Sequence, residues 1–256
     1  MIKYIWLKEL KAELYTWKST LWLLIASLIF SFTSYLLLTN QELSLLDQTE
    51  LLWLLSKIII GVAFLIVTID ASSIITTEFE KETAETLFVA PIRLRDFILG
   101  KLLASLTLWG ALYIVAVPYM LVTSAGTNLA PAFLGYVALL GTLGVVALVM
   151  VIFAISFLYR SSKNTLTTSL VILLAFSIPA LFSSTLKNNT AAQVFSRINP
   201  VDNIFESLDN VLVDYQLSLV NNWHYIWPLI LFCLFGLIFM AFATRRFQAH
   251  GVIENS

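Results

Sequence analysis

Six runs of twenty or more predominantly apolar residues divide this sequence, and no other feature constrains its fold as strongly. A helix rises about 1.5 Å per residue, so roughly 20 apolar residues cross a hydrocarbon core about 30 Å thick. The runs place spans at approximately 20–39, 54–76, 97–123, 130–159, 165–186 and 223–244. They lack the alternating polar pattern of barrel strands, so the spans are helical. The fourth run exceeds the thickness of the core and therefore tilts or projects into water. Composition agrees with this reading. Apolar residues make up 59% of the chain and charged residues 12%, with a mean hydropathy of +0.87; a soluble domain carries about a quarter charged residues. The expected fold is an all-α membrane protein, a single transmembrane domain over residues 1–256. Cys233, the one cysteine, lies inside an apolar run, so no internal disulfide forms. The N-terminal segment mixes Lys3, Lys8, Lys11 and Lys18 with Glu9 and Glu13, which is not the pattern of a cleaved signal peptide.

The basic residues set an orientation. The N-terminal segment carries its four lysines, the stretch 77–101 carries Lys81, Arg93, Arg95 and Lys101, the turn near 160 carries Arg160 and Lys163, and the tail carries Arg245 and Arg246. The opposite side holds only Lys187 and Arg197, with Lys57 inside the second span near enough to its outer end to snorkel out. Positively charged loops stay in the cytoplasm, so both termini are expected there. The loops around 40–53 and 187–222 are expected outside.

Three segments lie between or before the spans. In residues 2–18, Ile2, Trp6, Leu10, Leu14 and Trp17 share one helical face, opposite Lys8, Lys11 and Lys18. That pattern fits a helix in the cytoplasmic interface with its lysines near anionic headgroups, and equally a positively charged anchor that fixes topology. From Pro200, with Asn199 as cap, Ile204, Leu208, Val211, Leu212 and Tyr215 alternate with Asp202, Glu206, Asp209 and Asp214. This is an amphipathic helix of about four turns, expected to rest on the outer surface. Trp223, Tyr225 and Trp227 then open the last span as an aromatic belt.

The third segment, between the second and third spans, reads Glu78-Phe79-Glu80-Lys81-Glu82-Thr83-Ala84-Glu85-Thr86-Leu87-Phe88-Val89-Ala90-Pro91-Ile92, with Gly100-Lys101 shortly after. As a helix it sets Glu78, Lys81, Glu82 and Glu85 on one face, with Lys81 in reach of Glu78 and Glu85. Pro91 disfavours helix at Ala90 and ends the segment near there. A short charged helix of this kind suits either docking on a soluble partner or a plain solvated connection.

This segment resembles the signature loop of ABC-2-type transporter permeases, the membrane subunits of ATP-driven exporters. That family shows Glu-x-Glu-Arg-Gly-Thr-Leu-Glu, a leucine-rich stretch, Pro-Ile, and a Gly-Lys opening the third span. Glu78, Glu80, Lys81, Thr83, Glu85, Leu87, Pro91, Ile92, Gly100 and Lys101 match in type and spacing, whereas Glu82 replaces the usual glycine and Ala84 the usual leucine. The six-span layout and the two amphipathic segments extend the resemblance over the whole chain. It implies that the stretch at about 78–90 is a coupling helix seated on a separate ABC ATPase subunit. Glu78, Glu80, Lys81, Glu82, Thr83 and Glu85 would carry that coupling. It also implies two ATPase copies, a second permease copy or a related permease, residence in the plasma (inner) membrane, and ATP and Mg on the partner with no cofactor on this chain. The corresponding outer helices of the family dip into the outer leaflet. The chain has no Gly-x-x-x-x-Gly-Lys-Ser/Thr phosphate loop, because Gly100-Lys101 is followed by Leu102.

Asp70 is the deepest ionisable residue, roughly 9–12 Å from Glu78 along the helix. Such residues usually face protein or water. Asp70 is a candidate for lining a pathway together with Ser72, Ser73 and Thr76, or else a near-interface carboxylate paired with a cytoplasmic lysine. An intramembrane hydrolase would need a nucleophile and base facing each other, yet His224 and His250 sit only at a span edge and in the tail. The reading is therefore not an enzyme. The remaining rival is a self-sufficient ion- or proton-driven carrier or channel, which usually shows several intramembrane charges or paired broken helices.

Overall fold

The computed structural model describes residues 2–14, 17–39, 47–81, 94–181 and 190–253, and every regular element among them is helical. Helix α1 (Ile2–Leu14) precedes α2 (Trp17–Thr39), and α3 (Gln48–Ile74) passes through Ile75 into the short α4 (Thr76–Glu80). Next come α5 (Leu94–Thr123), α6 (Ala130–Tyr159) and α7 (Ser162–Ser177), the last followed by a 3-10 turn at Pro179–Leu181. Helices α8 (Thr190–Ile198), α9 (Pro200–Leu212) and α10 (Trp223–Ile253) complete the order. Because α3 already begins at Gln48, part of the loop expected over 40–53 is helix.

Five helices among the described residues are long and apolar enough to cross a membrane: Trp17–Thr39, Gln48–Glu80, Leu94–Thr123, Ala130–Tyr159 and Trp223–Arg246. The run expected to span 165–186 does not form one helix. Helix α7 stops at Ser177, about 24 Å long at the usual rise. Pro179 follows; it has no N–H to continue the ladder and opens the 3-10 turn. Residues 182–186 lie outside the described residues.

Helix α6 forms the centre. Of its most apolar window 72% is buried, against 22% for α2 and 28% for α10, which present Leu24, Leu28, Phe32, Phe235 and Ile238 outward. A helix apolar all round belongs inside a bundle. At Gly144 of α6, an added Cβ would collide with Phe64 of α3 and Ile204 of α9, so three helices meet there. Such close approach is how small residues hold membrane helices together.

Helices α6 and α10 run parallel. The Cys233 thiol lies 3.6 Å from the Leu143 carbonyl, and Gly236, three residues on, packs against Ala147 and Met150. The chain between Tyr159 and Trp223 must therefore travel back to the end of the bundle where α6 starts. Helix α7 makes the first part of that return, and Asn199 then joins it to α9 by donating to the Phe176 carbonyl at 2.7 Å.

Helix α9 begins as the sequence suggests: the Asn199 side chain accepts hydrogen bonds from the Val201 and Asp202 amides at 3.0 and 3.5 Å. It does not rest on the surface. Val201, Ile204, Leu208, Val211 and Leu212 are buried, and the helix packs against α3, α6, α7 and α10. Tyr215 lies beyond its end, in a left-handed conformation and 61% exposed. The Lys57 ammonium lies 3.4 Å over the Trp53 ring, whose indole N–H donates to the Phe205 carbonyl of α9 at 3.1 Å.

Candidate functional site

The end of α3 is built to bend. Ser72 and Ser73 return their hydroxyls to the carbonyls of Ile69 and Asp70, while Thr76 and Thr77 return theirs to Ser72 and Ser73, at 2.7–2.9 Å. Hydroxyls that bond back to the preceding turn compete with the helical ladder and bend helices. The hydroxyl run brackets Ile75, where α3 gives way to α4. Helix α4 then carries Glu78 and Glu80 in two different directions.

Glu78 turns inward, to Lys101. The Lys101 ammonium lies 2.7 Å from Glu78 Oε1, 2.9 Å from Glu9 Oε1 of α1 and 3.0 Å from the Ile74 carbonyl. The Phe97 ring stands 5.3 Å away. The lysine side chain is 2% exposed. A buried ammonium is tolerated only when its three protons are all met, and here two carboxylates and a carbonyl meet them. One residue thus joins α1, the α3–α4 bend and α5.

Glu80 turns sideways, to α7. Its carboxylate accepts from the Ser162 amide at 2.7 Å and the Ser162 hydroxyl at 3.0 Å; that hydroxyl also lies 2.7 Å from Thr76 Oγ1. The Ser161 side chain makes no cap bond, so Glu80 supplies the anion that the first turn of α7 favours. Phe79 packs edge-on against Phe157 at the end of α6, 5.7 Å between centroids.

Helix α1 docks more firmly than an interfacial anchor requires. Trp6 donates its indole N–H to Thr107 of α5 at 3.0 Å, and Ile5 fills the space where a Cβ on Gly100 would lie 2.6 Å from Ile5 Cγ2. The face that meets protein is therefore Ile5, Trp6 and Glu9, while Tyr4 and Leu7 point outward. Trp17, expected on the same helix, begins α2 and is 76% exposed. The reason for the shift is the buried lysine: Glu9 must face it.

Asp70 is buried and lies 3.6 Å from the Lys18 ammonium of α2, which also reaches Ser73 at 3.5 Å. Of the residues singled out from sequence, Glu78, Glu80 and Asp70 hold helices together, and Lys81 is exposed in the turn that ends α4. Glu82, Thr83 and Glu85, with the rest of the stretch to 90, lie outside the described residues. Glu9, Lys18 and Lys101 were visible in the sequence as charges, and Lys101 also through the family motif, but nothing local tied them to one another, and Ser162 carried no signal. Among the described residues no group of three or more His, Cys, Asp or Glu side chains is placed to hold a metal.

The profile of a family described as ABC-2 family transporter protein matches residues 38–245, most of the chain. The chain belongs to that family. It is accordingly a multi-pass membrane protein and a component of a transport system, from a family whose members generally work with an ATPase subunit. No curated protein sequence matches it. Within this ABC-2 protein, the Gly100-Lys101 pair now has a structural reason. The glycine admits α1 and the lysine fixes it to the bend that leads into the signature segment.

Proposed function

We propose that this ABC-2 protein is the permease subunit of an exporter, driven by a separate ATPase seated on the stretch that follows Glu80. The observation that carries the reading is the Lys101 cluster: α1, α4 and α5 share one buried ammonium immediately before that stretch. A force applied at residues 81–90 is delivered to three helices at once. Two copies of the permease, or one copy beside a related chain, enclose the pathway, and ATP-driven closure of the paired ATPase subunits moves it from inward- to outward-facing. Both termini lie in the cytoplasm of a plasma-membrane protein, and α7 belongs to the sixth crossing.

Glu80 and Glu78 are engaged within the chain, so docking is best tested by charge reversal at Lys81, Glu82 and Glu85. Lys81→Glu, Glu82→Lys and Glu85→Lys together are expected to leave the purified permease folded. They are expected to abolish co-purification of the ATPase and at least tenfold of the transport-linked ATP hydrolysis. A well-folded triple variant with normal ATPase recovery would rule out this docking site. Recovery of a stable, transporting oligomer with no ATPase would favour an autonomous carrier or channel.

A further inference from the structure

Between α8 and α10 lies a groove of about 400 Å³ lined by Arg197, Ile198, Pro228, Leu231, Phe232 and Phe235. It opens sideways: Ile198, Leu231 and Phe235 are about half exposed or more. Its α10 wall uses positions 228, 231, 232 and 235, one helical face about 10 Å long at the usual rise. Pro228 follows directly on Trp227, so the groove starts one residue past the aromatic belt and runs inward from it. Aromatic belts sit at headgroup level, which puts the deep end among acyl chains.

Arg197 is the one charge in the lining, and it is exposed. Among the described residues no carboxylate stands within salt-bridge distance of its guanidinium. Val194, Phe195 and Ile198 of α8 are also exposed and apolar, as suits a helix with one face turned to lipid. A guanidinium in that setting needs an anion, and its long stem can carry the charge toward the headgroups. Planar paired N–H donors match a phosphate.

We propose that this groove binds an anionic phospholipid of the surrounding bilayer, with an acyl chain along Leu231, Phe232 and Phe235 and its phosphodiester on Arg197.

The test uses the full-length chain in detergent, titrated with dioleoyl phosphatidylglycerol or dioleoyl phosphatidylcholine and read by native mass spectrometry. One phosphatidylglycerol per chain is expected to remain bound in preference to phosphatidylcholine. Arg197→Gln should weaken its retention about tenfold, Arg197→Lys should keep most of it, and Leu231→Trp, which fills the groove, should remove it. Both positions are exposed, so the thermal unfolding midpoint should stay at the wild-type value. Glycerol phosphate, which lacks acyl chains, should not displace the lipid. Equal retention of the two lipids, wild-type binding by Arg197→Gln, or displacement by glycerol phosphate would each overturn the proposal.

Discussion

Lys101 holds the strongest local interactions near the signature segment, and its value lies in pairing rather than in charge as such. Removing one partner of a buried ion pair leaves the others uncompensated and costs about 3–5 kcal/mol. Lys101→Met should therefore destabilise the protein by about that amount, seen as a lower thermal midpoint in detergent. Adding Glu9→Gln and Glu78→Gln to it should restore a good part of the loss, because the orphaned carboxylates disappear. A triple variant less stable than Lys101→Met alone would show that the carboxylates have other indispensable partners. Little of this was legible in the sequence. The Gly100-Lys101 pair was visible as part of a motif, but Glu9 is far from Lys101 along the chain, and no periodicity links them. Asp70 meets a lysine, Lys18, from the adjoining helix α2.

At the scale of elements, long apolar helices were the most legible feature, since twenty apolar residues in a row leave few other options. The run at 165–186 was less legible, because its hydropathy continues past Pro179, which the helix does not cross. Amphipathic segments were hard to read for another reason. The pattern in α9 told which face is apolar but not what covers it, and the cover is the bundle itself. For α1 the apolar stripe suggested lipid, whereas Trp6 of that stripe, together with Ile5 and Glu9, meets α5. The contact of Ile5 with Gly100 makes that docking testable. Gly100→Ala should cost about 1–3 kcal/mol by overpacking and should loosen α1, raising protease cleavage near its end. Ile5→Ala, which removes the closer of the two colliding atoms, should recover part of that cost. An unchanged Gly100→Ala protein would mean that α1 shifts freely.

For the whole molecule, the parallel course of α6 and α10 fixes the parity of the intervening chain. In a Cys233→Ser background, Asn128→Cys and Val220→Cys should react with a membrane-impermeant maleimide from one side, and Lys163→Cys from the other. Labelling of positions 163 and 220 from the same side would contradict the return path through α7 and α9. The clamp at Lys101 also has a consequence for biosynthesis. Glu9 leaves the ribosome roughly ninety residues ahead of the lysine that will hold it, a delay on the order of ten seconds at ordinary elongation rates. Throughout that interval the first helix lacks the long helix that it packs against most, and its carboxylate lacks the lysine. The nascent protein therefore acquires its N-terminal brace only after its third long helix has been made, and a translation arrest before that point leaves the brace undone.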